Sequence, residues 1–132
     1  MQPRFQGENQ YADITIEYKK SKMLPFRTLS ETPTFMKVLG NDLGGKNIID
    51  YACGEGHYTR KIRELTQGKV VGVDISPEMV ELAQSQEDKE GTTIDYRVND
   101  CCKTEFLEEF KEQFDVVTAT YLLNYATNVE MI

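Results

Sequence analysis

No lysine- or arginine-rich block longer than a few residues occurs in this chain, and 22 acids against 15 bases leave a net charge of −7. Phosphate backbones are held chiefly by clustered cations, so no nucleic-acid partner is expected, although a local basic patch can coexist with an acidic total. No apolar run approaches the ~18–20 residues that cross a bilayer, so no membrane partner is expected either. The stretch Met1 to Gln10 is polar and lacks an apolar core, and no secretory signal is expected. Cysteine is scarce: Cys53, Cys101 and Cys102 make an odd number with two adjacent. Without C-x-x-C or Cys/His ligand spacing, neither a disulfide framework nor a zinc site is supported. No metal is expected, and a reducing, cytoplasmic setting fits.

What is present is one domain's worth of chain. A length of 132 residues allows roughly two-thirds of the unfolded surface to be buried. With 39% hydrophobic and 28% charged residues, disorder is not the default. The strongest local signal runs from Asn47 to Arg60. Ile48-Ile49 reads as a buried parallel strand, followed by Asp50, a tight loop with Gly54 and Gly56, and a helical stripe of Tyr58, Ile62 and Leu65. Glycine lets the backbone turn sharply and approach a ligand, and the helix N-terminus suits polar or negative groups. A second strand, Lys69 to Ile75, carries Asp74, 20 residues after Gly54. An acid at that tip can accept both hydroxyls of a ribose, so loop and acid together describe a nucleoside-containing cofactor across two strand ends. The dinucleotide fingerprint asks for a third small residue where Thr59 stands, which disfavours a nicotinamide cofactor.

The pattern Asp50-x-Ala52-Cys53-Gly54-x-Gly56 resembles the first motif of the class I, Rossmann-like S-adenosylmethionine (SAM) methyltransferases. Val71 to Met79 resembles their second motif, Asn99-Asp100-Cys101 their adenine-binding turn, and Phe114 to Thr120 their fourth strand. The N-terminal run Tyr11 to Arg27 is similar to the toxoflavin-synthase-like small-molecule methyltransferases. The resemblance covers about residues 8 to 130. It implies an α/β three-layer sandwich with about four parallel strands in the order 3-2-1-4, helical cap at 1–44 and SAM-binding core at 45–132. It implies a SAM-dependent methyltransferase with a small-molecule acceptor. The rivals are a non-catalytic SAM-binding protein and, behind it, a nicotinamide oxidoreductase. By the same resemblance Asp50 lies near the cofactor's amino group, and Ala52, Gly54 and Gly56 line its methionine portion. Asp74 then holds the ribose, Ile75 and Met79 flank the adenine, and Asp100 with Cys101 meets the adenine edge. Thr118, with Ala119 and Thr120, leaves room for the sulfonium.

Several of these residues carry a plainer reading beside the functional one. Tyr11, Ile14 and Tyr18 form a helical stripe, so Tyr18 is either core or a cofactor contact. Arg27 suits the methionine carboxylate as a fork or is simply solvated. Thr32-Pro33 reads as a helix start, with Phe35, Val38 and Leu39 its buried face and Gly40 its stop. Arg60, Lys61 and Arg63 read as a solvated face. Ser76-Pro77 starts another helix, and Asp100 is otherwise a turn aspartate. Val116, Val117 and Ala119 read as a strand buried on both faces. No general base is evident: His57 is the candidate base, with a helix cap or surface packing as its plainer reading, and Tyr121 or Tyr125 is the candidate to face an acceptor. A seven-stranded domain would continue past the fourth strand, so the chain is expected to be a truncated part of such an enzyme. Its apolar fourth strand would be an edge open to self-association.

Overall fold

β-Branched residues set the sheet. In the computed structural model, which describes residues 23–122 together with residues 17, 20 and 21, four strands form: β1 (Ile48–Tyr51), β2 (Val70–Asp74), β3 (Asp95–Val98) and β4 (Val116–Thr118). Their order is β3-β2-β1-β4, and every pairing is parallel, with Ile48 opposite both Val70 and Val116 and Val71 opposite Asp95. This is the α/β arrangement expected. Alternate side chains leave opposite faces of a strand, which splits the core in two. Ile48 and Val70 join Ile62, Val80, Ala83 and Tyr96 on one face. Ile49, Val71 and Val73 join Phe106 and Phe110 on the other. Burying each such aliphatic side chain contributes about 1.5–3 kcal/mol, so the two central strands anchor everything around them.

The helices named among the described residues are α1 (Thr32–Leu39), α2 (His57–Arg63), α3 (Pro77–Glu90) and α4 (Thr104–Phe110). α3 starts as expected, with the Ser76 hydroxyl accepting from the Met79 N–H and Pro77 in the first turn. It closes on Gly91 in the left-handed region. α1 does not start as expected. The chain is already helical from residue 25, and a π-turn at Arg27–Glu31 runs straight into α1, with the Thr32 N–H reaching the Arg27 carbonyl. Proline at 33 offers no N–H, and its ring crowds the carbonyl four residues back. The wider π-turn just before it makes that room.

Three expectations about burial are overturned. Val38 is 83% exposed, and only Phe35 and Leu39 of that stripe pack on the core. α1 touches the domain through Thr32, Phe35 and Leu39, and its far side faces out. β4 is not buried on both faces: Val116 packs inward, but Val117 is 56% exposed, and the strand stops at Thr118 before Ala119. Nor are Arg60 and Arg63 of α2 part of a solvated face. Arg60 pairs with the buried Glu55 at 2.9 Å, and Arg63 donates to the carbonyls of Gly68, Thr66 and Thr93. Among the described residues no helix is long and apolar enough to cross a membrane.

Candidate cofactor site

The loop after β1 needs backbone that most residues avoid. Ala52, Gly54 and Gly56 have φ of 54°, 57° and 85°. Alanine in that region costs about 1–2 kcal/mol, so the fold supplies compensating bonds. The Cys53 N–H reaches the Val73 carbonyl at 3.0 Å, and the Gly54 N–H reaches Oδ2 of Asp74 at 2.8 Å. Glycine loop and strand-tip acid are therefore in direct contact. At Gly56, the residue that caps α2, a Cβ would lie 2.3 Å from Tyr96 Oη. Only a bare backbone fits between that phenol and whatever occupies the mouth of the site.

Asp74 also takes the Ser76 N–H at 2.9 Å on Oδ1. These backbone donors do not fill the roughly four acceptor positions of a carboxylate, which leaves capacity for a further donor. Burial pushes its pKa up, while the N–H groups of Ser76, Gly54 and Ile75 pull it down. The Asn99 N–H bonds the Asp74 carbonyl at 3.0 Å, which ties the Asn99-Asp100 turn to the same corner. There Oδ1 of Asp100 accepts the Cys102 N–H at 3.0 Å, the arrangement of a turn aspartate. Cys101 beside it is half-buried, and burial, then Cys102 and Asp100, push its thiol up to about 12. Ile75 is half-buried, and Met79 is 1% exposed beneath the start of α3.

Asp50 has turned inward. It is 2% exposed, with Oδ2 accepting from the Thr59 hydroxyl at 2.7 Å and Oδ1 from the Thr118 hydroxyl at 2.6 Å. Thr59, itself fully buried, stands where the dinucleotide fingerprint wants a small residue. Its hydroxyl satisfies the acid of β1 instead. The signal was in the sequence: an acid at the strand end and a hydroxyl one helical turn past the second glycine.

Glu31 went unread. Its carboxylate accepts from the Tyr58 and Tyr121 hydroxyls and from Arg27 Nη1 at 2.9 Å. The Arg27 guanidinium also lies 5.3 Å from the centre of the Tyr121 ring. Arg27 is thus half-buried, with Nη1 of its fork held by Glu31. Neighbouring Thr32 Oγ1 sits 3.3 Å from His57 Nε2, and Tyr121 has φ of 63°. Together these contacts fasten the π-turn across the ends of β1 and β4. Burial and the Glu31 bond push the Tyr58 phenol up. Nothing in the local sequence announces Glu31, because its partners come from distant parts of the chain. Tyr18 and Tyr125 lie outside the described residues.

With this geometry in place, likeness to known proteins becomes informative. The family model described as "Methyltransferase domain" matches residues 48–132. An uncharacterised protein of Haemophilus influenzae is 32% identical over 114 residues, covering 84% of this chain and 44% of that protein. The ribosomal protein L11 methyltransferase of Burkholderia ambifaria is 31% identical over 80 residues, covering 61% and 24%. Among solved structures, the magnesium protoporphyrin IX methyltransferase of Synechocystis with bound SAH superposes with a TM-score of 0.56 at 22% identity, over 76% of this chain and 43% of that one. The chain spans less than half the length of each of these proteins.

Proposed function

The chain belongs to the class I, Rossmann-like methyltransferase-domain family, and from that premise we propose that it binds SAM at the C-terminal ends of β1 and β2 within an enzyme that methylates a small molecule. The observation that carries the cofactor reading is the 2.8 Å bond from the Gly54 N–H to Asp74. It makes the phosphate-free cradle and the ribose acid one structural unit. The residues fit the ligand: Gly56 cannot hold a Cβ, and Asp74 keeps accepting capacity at a strand tip.

SAM, when bound, supplies an electrophilic methyl on a sulfonium, so the reacting chemistry is the cofactor's. The protein's part is to bind and orient. Gly54 and Gly56 form the backbone wall, with Ala52 entering it. Asp74 orients the ribose, while Asp100 and Cys101 form the rim at the adenine edge beside Ile75 and Met79. Asp50 works through position rather than contact, holding Thr118 and thereby the end of β4. Glu31, from the N-terminal side of β1, bonds Tyr58 and Tyr121 of the core. His57 and Tyr121, bonded to Thr32 and Glu31, are the described candidates to face an acceptor. The small-molecule reading rests on the acidic chain without cationic blocks and on the N-terminal likeness to toxoflavin-synthase-like enzymes. The L11 methyltransferase is 31% identical to this chain over 80 residues, only 24% of its own length, which is too little to carry its acceptor over.

Calorimetric titration of SAH and SAM into wild type and Asp74→Ala tests the proposal. Wild type binds both, and the variant weakens SAH by on the order of 10–100-fold, the loss of a charge-assisted ribose contact. Failure of wild type to bind either compound would refute it. Equal affinity in the variant would refute the ribose assignment alone.

A further inference from the structure

The turn Asp100–Lys103 closes with the Lys103 N–H on the Asp100 carbonyl at 3.0 Å, while the Cys102 N–H caps the Asp100 side chain at 3.0 Å. This double closure forces three consecutive side chains onto one patch. A carboxylate oxygen of Asp100 and the Sγ atoms of Cys101 and Cys102 all lie within 4.8 Å of one another. Two thiolates on one tetrahedral ion stand about 3.8 Å apart, from metal–sulfur bonds of about 2.3 Å. The 4.8 Å bound on the cluster lies about 1 Å above that spacing. Cys102 is exposed and Cys101 and Asp100 half-buried, so an ion has a path in and water has room for a fourth position.

We propose that Asp100, Cys101 and Cys102 form a binding site for a single thiophilic divalent cation, such as zinc or cadmium. Two soft sulfur donors and one carboxylate exclude magnesium and calcium, which take oxygen sets. On binding, each thiol that becomes a ligand releases its proton to solvent, and no electrons move. The turn lacks the wide ligand spacing of a structural zinc finger, so the ion is not needed for folding. Its position gives it a second consequence, which rests on the cofactor reading above: Asp100 would be the adenine-edge acceptor, so a bound cation competes with the cofactor for that carboxylate.

The test uses the full chain kept reduced with a phosphine, which removes a Cys101–Cys102 disulfide from consideration. Cadmium is titrated against the ultraviolet charge-transfer band of its thiolates. The band should saturate at one ion per chain, fall on adding zinc, and vanish in Cys101→Ser/Cys102→Ser, which still contains Cys53. Asp100→Asn should keep the band with affinity lower by on the order of 10-fold. A band that survives the double substitution, or saturates at one ion per two chains, overturns the site. One equivalent of cadmium should also weaken SAH binding at least fivefold. Unchanged SAH affinity with the band present would overturn the competition and leave the ion site standing. A chain that binds no SAH at all refutes the cofactor reading, and the band still decides the site.

Discussion

Thr59 shows how one hydroxyl can decide the state of a buried charge. Asp50 sits at 2% exposure with a threonine hydroxyl on each oxygen, and a carboxylate so placed must be bonded or neutralised. Thr59→Val keeps the shape and removes one donor. It should cost about 1–3 kcal/mol in urea unfolding, and Thr59→Ser should recover most of it. If valine costs nothing, Asp50 is not held as described. Cys53 makes a neighbouring case. Burial first, then Asp50 and Asp74, push its thiol well above 9.0. The native state holds that proton where the unfolded chain releases it. Its contribution is intact below pH 9.0 and drains away as pH rises towards the raised native value. Unfolding midpoints should therefore fall more steeply for wild type than for Cys53→Ala as pH rises past 9.0.

At the scale of the element, the β1–α2 loop is held in shape by what lies beneath it. A methyl at Gly56 meets Tyr96 Oη at 2.3 Å, Cζ at 3.0 Å and Arg60 Nη1 at 2.9 Å, with φ already at 85°. Gly56→Ala should cost about 1–2 kcal/mol for the backbone alone, more with the clash, and should abolish SAH binding. Tyr96→Phe is the informative partner, because its buried hydroxyl makes no hydrogen bond among the described residues. Alone it should change stability by less than about 1 kcal/mol, and combined with Gly56→Ala it should return part of the loss. Strict additivity in that double-mutant cycle would mean the phenol does not set the loop's position. The loop was legible because glycines, strand-tip acids and the Ser76-Pro77 start obey local rules. The Glu31 cluster was not. Glu31 finds Tyr58 and Tyr121 across separations of 27 and 90 residues, and no periodicity encodes such a meeting. α1 misled for a related reason, since Thr32-Pro33 satisfies the rule for a helix start while the preceding π-turn carries the helix through it. Val38 fits the apolar stripe, yet it lies on the side of α1 that faces out.

For the whole molecule, the strand order was readable because acid-tipped strands, glycine loop and capped helices alternate as parallel α/β chains do. What β4 buries was not, because that depends on which neighbour covers each face. Among the described residues, β4 pairs with β1 alone, and it turns Val117 outward at 56% exposure. An edge of this kind offers backbone donors and acceptors with an apolar side chain beside them. The opposing force is charge, since two copies at −7 each repel over the distance that salt permits. At an ionic strength of about 0.15 M that range is about 8 Å, against about 30 Å at 0.01 M. Edge pairing should therefore be weak in dilute buffer and strengthen as salt is added, the reverse of an association built on ion pairs. Sedimentation velocity across protein concentration and salt reads this directly. Val117→Lys, which adds a cation to the edge without entering the core, should return the chain to a monomer at every salt concentration. If association weakens with salt, or Val117→Lys associates as wild type does, the contact lies elsewhere on the surface.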